Sequence, residues 1–594
     1  MKSFFSTLLA SCLGVILAVF VGFLIISAIA ASAITGLSDS STGYADNSVL
    51  KLSLENFIPE KSDNIPKSYS FENVPDAIGL RDIKLLLEAA ASDSKIKGIL
   101  IENNNVSIGQ ASLLSLMESL KEFKKSGKFI YSYADNHSQS SYMLCTVADS
   151  IFLNPQGAVD LRGFGATIPF FKGMLDKVGV EMNIFYAGNF KSATEPFRLN
   201  EMSDYNKIQT RAFLKDMESV MVDEISQNRN IPTDKIEAIM TGLEGRTAKR
   251  ALENKLVDAI FYRDELDDFL RAKLGIKEGK RIKTISLSKY KTLANLKPAS
   301  VSKDKIAVIY AEGEIQYGTD EPGSISDKSY IKSLQKIRND ENIKAVVLRV
   351  NSPGGSAFTS EMIWRELERI KQSGKPVIAS FGDYAASGGY YISSGADYIV
   401  AQPNTLTGSI GVFMMLPDAT KLLNDKLGVR FDTIKTHELA TGFSPVLKLS
   451  GKEKELLQES TIEIYDLFLE RVSKGRKLSL DSTKAIAQGR VWTGRAGKQI
   501  GLVDELGNLD DAIRIAAEKA GLKDYKIAEY PYIEEDMFSK IVKEIQKGKG
   551  GDDSDALLFS TKDEKRLLEM AKQTKALLKL KEPQMRLPYI FEWN

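Results

Sequence analysis

Four short runs in the second half of the chain show no polar alternation and are rich in β-branched residues. They are Lys305 to Gly313 (KIAVIYAEG), Lys344 to Val350 (KAVVLRV), Lys375 to Phe381 (KPVIASF) and Asp397 to Gln402 (DYIVAQ). Strands buried on both faces of a parallel sheet read this way. Between them, Ser356 to Gln372 carries apolar residues at three- and four-residue steps, the stripe of a helix packed on one side. The alternation predicts an α/β fold with crossover helices on the sheet. One stretch has no patterning. Ser3 to Ser38 is uncharged, and its centre, LLASCLGVILAVFVGFLIISAIA, exceeds the ~20 apolar residues that cross a bilayer. It is too long for the ~7–15-residue core of a cleavable signal peptide, although the triplets Ala28-Ile29-Ala30 and Ala31-Ser32-Ala33 leave cleavage as an alternative. Lys2 precedes this segment while Asp39 and Asp46 follow it, which predicts an N-terminus inside and an extracytoplasmic body.

The patterning repeats. Ile96-Lys97-Gly98-Ile99-Leu100 matches Ile343-Lys344-Ala345-Val346-Val347, and Ser126-Gly127-Lys128 matches Ser373-Gly374-Lys375, both at a spacing of 247. Ala148-Asp149 followed by Ile151 matches Ala396-Asp397 followed by Ile399 at 248. Gly179-Val180 matches Gly428-Val429 at 249, and Leu256-Val257-Asp258 matches Leu502-Val503-Asp504 at 246. Five blocks in one order imply two copies of one fold. The expected organisation is a membrane anchor over 1–38, a first repeat over 39–299 and a second over 300–545. A Gly/Asp-rich linker (QKGKGGDDSDA, 546–556) and a basic helical tail ending in LPYIFEWN complete the chain, the tail being read as a packing or oligomer contact.

Composition narrows the chemistry. With 43% apolar and 26% charged residues, wholesale disorder is excluded. Lys and Arg total 79 against 78 Asp and Glu, so the basic excess of a nucleic-acid binder is missing. Two cysteines, Cys12 and Cys145, make no disulfide framework. Two histidines, His137 and His437, make a histidine metal site improbable, and no cofactor is expected.

The copies differ where chemistry could reside. In the second, the strand KAVVLRV runs into Asn351-Ser352-Pro353-Gly354-Gly355-Ser356, a turn whose backbone N–H groups could face a developing oxyanion. The first copy has Asn104-Asn105-Val106-Ser107-Ile108-Gly109 there, without the glycine pair. Gly382 to Tyr391 (GDYAASGGYY) corresponds to a first-copy stretch, DNHSQSSYM, that lacks the glycines. Ser409, in Thr407-Gly408-Ser409-Ile410-Gly411, faces Leu161. The reverse holds once: Lys191, in Phe190-Lys191-Ser192-Ala193-Thr194-Glu195-Pro196, faces Ala440. Complementary loss is what one site shared between two copies would leave, and drift in one copy is the alternative. Ser409 also reads as a helix cap before an apolar run, and Lys191 as a surface lysine.

In these halves and this order, NSPGGS, ASGGYY, TLTGSIGVF and NFKSATEPF resemble the long-form signal peptide peptidase A (protease IV) family, along essentially the whole chain. The resemblance implies two tandem crotonase/Clp-protease-like repeats, a serine peptidase with a Ser–Lys dyad, and a bowl-like homotetramer. By motif it makes Ser409 the nucleophile, Lys191 the general base, and Gly354, Gly355 and Ile410 the oxyanion and substrate contacts. It further implies spent signal peptides and other apolar peptides as substrates, at the outer face of the inner membrane, with lipid contacted through the N-terminal helix. The chemistry agrees: a serine hydroxyl needs a base, and a lysine serves only when burial keeps it neutral, with Phe190 and Pro196-Phe197 as expected lining.

Ser387 is the rival nucleophile, because its glycine frame resembles the Clp protease motif. That motif needs a histidine where this chain has Ala401-Gln402-Pro403, so Ser387 and Gly388 are read as supporting residues and Asp383 as a turn brace. Two other classes stand as alternatives: an inactive membrane-anchored scaffold, and a crotonase-type acyl-CoA enzyme, for which no phosphate-binding element stands out.

Overall fold

The computed structural model describes residues 44–62, 78–294, 300–319, 323–531 and 583–587. The expected membrane segment and the 546–556 linker lie outside them. Among the described residues no helix is long and apolar enough to cross a membrane.

The duplication is visible strand by strand. In the first copy one parallel sheet runs, in spatial order, Ala259–Ile260, Ser150–Leu153, Phe129–Ala134, Ile96–Glu102, Ser48–Leu52 and Thr284–Ser286. In the second the same order holds with Glu505–Leu506, Tyr398–Ala401, Val377–Ala386, Ile343–Ser352, Lys305–Glu312 and Lys526–Tyr530. The unpatterned runs are central strands buried on both faces. In the second copy Ala512, Ile513 and Ala516 of helix Leu509–Lys519 cover Ile306, Val308 and Val347 on one side. On the other, Ile363, Leu367 and Ile370 of helix Ala357–Gln372 pack with Ile309 and Val346.

Two of the five repeated blocks turn out to be hydrogen-bond devices at strand entrances. Asp149 accepts from Ile130 N–H at 2.8 Å and Asp397 from Val377 N–H at 2.9 Å. Asp258 and Asp504 accept from Ile151 and Ile399 N–H, both at 2.7 Å. Tyr142 and Tyr390 donate to the Leu256 and Leu502 carbonyls, both at 3.0 Å. Each pair satisfies buried groups that would be costly unpaired, which accounts for their presence in both copies.

Bonds between the copies recur along their contact, and three kinds stand out. Arg349 makes a bidentate pair with Glu60 at 2.9 and 3.0 Å, the two side chains only 2% and 4% exposed. Asp383, expected to brace its own turn, reaches the first copy instead: its carboxylate accepts from Ala111 and Ser112 N–H, each at 2.9 Å, and so caps the first-copy helix Gln110–Lys124. That helix has glycine, Gly109, at its own cap position.

The third is a mixed sheet, in the order Ser324–Ser326, Glu314–Gln316, Gly354–Ser356, Gln584–Arg586, Val412–Asp418, Glu181–Ala187. Its last two strands come from different copies and pair antiparallel over seven residues, Ala187 opposite Val412 through Glu181 opposite Asp418. Within the tail read as helical, the described residues thus contain a strand, Gln584–Arg586.

Candidate active site

Strand register makes the site. Because Ala187 lies opposite Val412 in an antiparallel pair, the loop leaving Ala187 and the loop entering Val412 emerge side by side. The first carries Lys191 and the second Ser409. Lys191 Nζ lies 3.1 Å from Ser409 Oγ, 3.1 Å from the Ser409 carbonyl oxygen and 2.8 Å from Ser387 Oγ. All three residues are buried, at 1%, 0% and 0% exposure.

The surroundings favour a neutral amine. Burial pushes Lys191 well below the 10.5 of a free lysine, and desolvation is the whole cause. The nearby buried carboxylate, Glu195, is satisfied elsewhere, by Ser203 N–H at 3.1 Å, Ser203 Oγ at 2.5 Å and Asn206 Nδ2 at 2.9 Å. A neutral amine has two N–H donors and one lone pair. With donation to Ser387 Oγ and to the Ser409 carbonyl, a neutral amine keeps its lone pair for the Ser409 hydroxyl proton.

Both serines sit on unusual backbone. Ser409 has φ 50° and Ser387 φ 55°, a left-handed region that costs a side-chain-bearing residue about 1–2 kcal/mol. Ser409 lies at the bend between strands Leu406–Gly408 and Val412–Asp418, so the helix expected after it is absent and its capping role falls away. Its N–H donates to the Arg490 carbonyl at 2.7 Å. Ser387 precedes the short helix Gly388–Ser393 without capping it through its side chain, which leaves the hydroxyl for Lys191.

Residues that sequence reasoning missed hold the loops together. Gly489 passes so close to Lys191 that a Cβ on it would lie 2.7 Å from the lysine Cβ, and its φ is +75°. Its N–H donates to the Ile410 carbonyl at 2.7 Å. Gln209 bridges the copies, donating to the Phe190 carbonyl at 3.0 Å and to Ser192 Oγ at 2.9 Å while accepting from Val491 N–H at 3.1 Å.

The remaining expected residues are distributed as follows. Gly354 and Gly355 belong to the short strand Gly354–Ser356 rather than to an open loop, and Gly354 N–H donates to Ser352 Oγ at 3.1 Å. The turn abuts the dyad through Gly388, whose nitrogen would lie 2.8 Å from a Cβ on Gly354. Ile410 is fully buried. The expected lining is only half present: Phe197 is buried with Ala193 and Phe413, but the half-buried Phe190 ring lies between Tyr205 and the Arg490 guanidinium. His437 and Ala440 lie on an exposed arm, and His137 is buried in the first copy, its imidazole pushed down to about 4 by desolvation. Cys145 is buried too, its thiol pushed up to about 12.

The chain matches the model described as peptidase family S49 twice, over residues 122–277 and 369–523. Lys191 falls in the first stretch, Ser387 and Ser409 in the second. It is 36% identical over 554 residues to a Haemophilus influenzae protein named Protease 4, covering 89% of each chain. It is 38% identical over 460 residues to Protease 4 of Salmonella typhi, covering 76% of this chain and 74% of that one. With the Arabidopsis thaliana protein named Serine protease SPPA, chloroplastic, the identity is 32% over 440 residues, 73% of this chain and 64% of the other.

Proposed function

Because the chain belongs to peptidase family S49, as a serine peptidase of the protease 4 (signal peptide peptidase A) type with tandem repeats, we propose that it cleaves peptides with a Ser409–Lys191 dyad divided between its two copies. The observation that carries this reading is the 3.1 Å between Lys191 Nζ and Ser409 Oγ around an amine that burial holds below the usual lysine range.

In the proposed reaction Ser409 Oγ attacks the scissile carbonyl while its proton passes to Lys191 Nζ. The Gly354-Gly355 backbone, with Gly354 N–H giving up its bond to Ser352 Oγ, and the Ile410 N–H stabilise the oxyanion. The Lys191 ammonium then protonates the leaving amine as the C–N bond breaks. A water then attacks the acyl carbonyl as it gives its proton to Lys191, and Lys191 passes that proton to the departing Ser409 Oγ, which frees the acid and restores the dyad. Ser387 is a positioning residue: its 2.8 Å contact with Nζ turns the amine lone pair toward Ser409. No cofactor has a part in these steps.

The proposed substrates are spent signal peptides and other apolar peptides, and the fold is proposed to be of the crotonase/Clp-protease kind. The enzyme is held in the cytoplasmic membrane by the uncharged N-terminal segment, with its body outside, in line with Lys2 before and Asp39 after that segment. Assembly of several copies, four by family resemblance, draws support from the arm near 421–448, where Leu427, Phe431, Ile434 and Phe443 are 61%, 47%, 101% and 52% exposed. Labelling the full-length protein in detergent with a fluorophosphonate and locating the adduct by mass spectrometry tests the reading. An adduct on Ser409, absent from Ser409→Ala, is expected. An unlabelled, folded protein would favour an inactive scaffold.

A further inference from the structure

The chain balances 79 Lys and Arg against 78 Asp and Glu, yet one end of the first-copy sheet, where its parallel strands begin, is basic. From Lys273 to Lys283 the sequence KLGIKEGKRIK sets Lys273, Lys277, Lys280, Arg281 and Lys283 against Glu278, and all five cations are exposed. This stretch is laced to the start of strand Ser48–Leu52. Asn47 Nδ2 donates to the Leu274 carbonyl at 3.1 Å, and Val49 N–H to the Lys283 carbonyl at 2.9 Å. On the other side Ser48 N–H donates to the Lys95 carbonyl at 2.9 Å, and the exposed Lys97 follows two residues later.

Between these segments lies an open hollow of about 570 Å³, lined by Lys97, Lys124, Lys128 and Lys273 beside Asn47. The acids around it are largely engaged. Asp149 pairs with Lys124 at 3.0 Å and accepts from Ile130 N–H, Asp93 accepts from the Tyr290 hydroxyl at 3.1 Å and from Lys95 N–H at 3.0 Å, and Asp268 pairs with Arg271 at 2.5 Å. The exposed Asp46 and Glu278 are left to oppose the cations. The matching end of the second copy is different, because Lys305 and Lys344 are held there by Asp340 at 3.3 Å and Asp304 at 3.7 Å.

Position gives this charge a partner. The stretch from Ser38, the end of the uncharged N-terminal segment, to Asn47 spans at most about 30 Å even when fully extended. A tether this short keeps the basic end beside the bilayer surface, and roughly four to eight Lys or Arg next to a membrane segment suffice to attract anionic lipid. A lipid phosphate can accept from several ammonium groups at once while its acyl chains stay in the bilayer.

We propose that this end of the first copy is a lipid-binding face that rests on the bilayer and takes the headgroups of anionic phospholipids, one of them seated in the hollow between Lys97 and Lys273. This rests on the reading of the N-terminal segment as a membrane anchor and is independent of the dyad.

The test uses full-length protein in nanodiscs of phosphatidylcholine alone or of equal parts phosphatidylcholine and phosphatidylglycerol. Lysine acylation by an N-hydroxysuccinimide ester is read site by site by mass spectrometry. Lys207 is the reference, since helix Asp204–Arg229 holds it about 30 Å from Arg229, which pairs with Asp258 at a strand entrance. Relative to Lys207, labelling of Lys97, Lys273, Lys277 and Lys280 should slow about fivefold with phosphatidylglycerol. Salt at about 1 M, which cuts the Debye length to about 3 Å, should abolish the difference. The folded variant Lys277→Glu/Lys280→Glu/Arg281→Glu should lose the protection of Lys97 and Lys273. Equal labelling in both nanodiscs, or protection undiminished in that variant, would overturn the proposal. Equal protection by inorganic phosphate added to phosphatidylcholine nanodiscs would also overturn it and make the hollow a site for free anions. Each of these results leaves the anchor standing. Failure of the full-length protein to enter nanodiscs would overturn the anchor, and this proposal with it.

Discussion

The same strand-to-helix turn occurs in both copies and ends in opposite ways. In the first copy, strand Phe129–Ala134 leads to helix Gln139–Cys145, and the turn closes on itself. Ser138 has ordinary extended backbone and caps the helix, Ser141 Oγ donates to the Asn103 carbonyl at 2.6 Å, and His137 Nδ1 lies 3.1 Å from that hydroxyl. In the second copy, strand Val377–Ala386 leads to helix Gly388–Ser393 through Ser387 at φ 55°, with no side-chain cap. Glycines stand where the first copy has Ser140 and Ser141. The polar groups that stabilise one turn locally are missing from the other, whose hydroxyl turns outward to the first copy's Lys191. The second copy's turn lacks local satisfaction for its hydroxyl and receives it from the other copy.

The largest expected effects fall on the groups that meet across the copies. Ser409→Ala, Lys191→Ala and Lys191→Arg should each lower kcat for an apolar peptide by at least about a thousandfold, and the Ser409/Lys191 double variant by little more, since nucleophile and base act as a unit. A guanidinium stays protonated, so arginine does not rescue. Additive losses in the double variant would break the idea of one shared site.

Ser387→Ala should cost about 10–100-fold in kcat, in the range of a general-acid–base contribution, with KM little changed. It should also shift the activity–pH profile, because it removes a partner of the Lys191 amine. A loss of stability with an unmoved pH profile would reduce Ser387 to a packing residue.

A stability effect of opposite sign is expected at Lys191. Its folded-state pKa lies well below 10.5, so between the two values the unfolded chain binds the extra proton and stability rises with pH. Lys191→Met removes this penalty. It should raise the melting temperature at neutral pH, and the gain should shrink as pH approaches 10.5. A lower melting temperature at every pH would mean that the contacts to Ser387 and Ser409 outweigh desolvation.

The smallest effect belongs to the closed turn. Ser141→Ala should cost about 1 kcal/mol of stability, the worth of one buried hydrogen bond, and leave kcat unchanged. Urea unfolding beside steady-state kinetics would measure both.

Much of this was legible in the sequence because it rests on local pattern. Unalternating β-branched runs mark the central strands, and two of the five repeated blocks carry carboxylates that each copy needs at its own strand entrances, such as Asp149 and Asp397. The positions at which the copies diverged marked Lys191, Ser409 and the Gly354-Gly355 turn. What sequence could not give is what depends on register between distant segments. Ala187 opposite Val412 decides that Lys191 meets Ser409, yet no local preference encodes that pairing. Asp383 capping a helix of the other copy, Gln209 tying two loops, and Gln584–Arg586 entering a sheet are long-range satisfactions of the same kind. The alternative of a helix cap at Ser409 was open because TGS before an apolar run suits either a helix start or a strand bend, and only the pairing with Glu181–Ala187 selects the strand.

The dyad divided between copies is tested most directly by the pH dependence of fluorophosphonate acylation, followed by intact-mass spectrometry on the full-length protein and on Lys191→Ala. The adduct should form on Ser409, at a rate that rises with pH through an apparent pKa well below 10.5, and Lys191→Ala should lose nearly all of that rate. Acylation of Ser387, or a Ser409 rate and profile unchanged in folded Lys191→Ala, would contradict it.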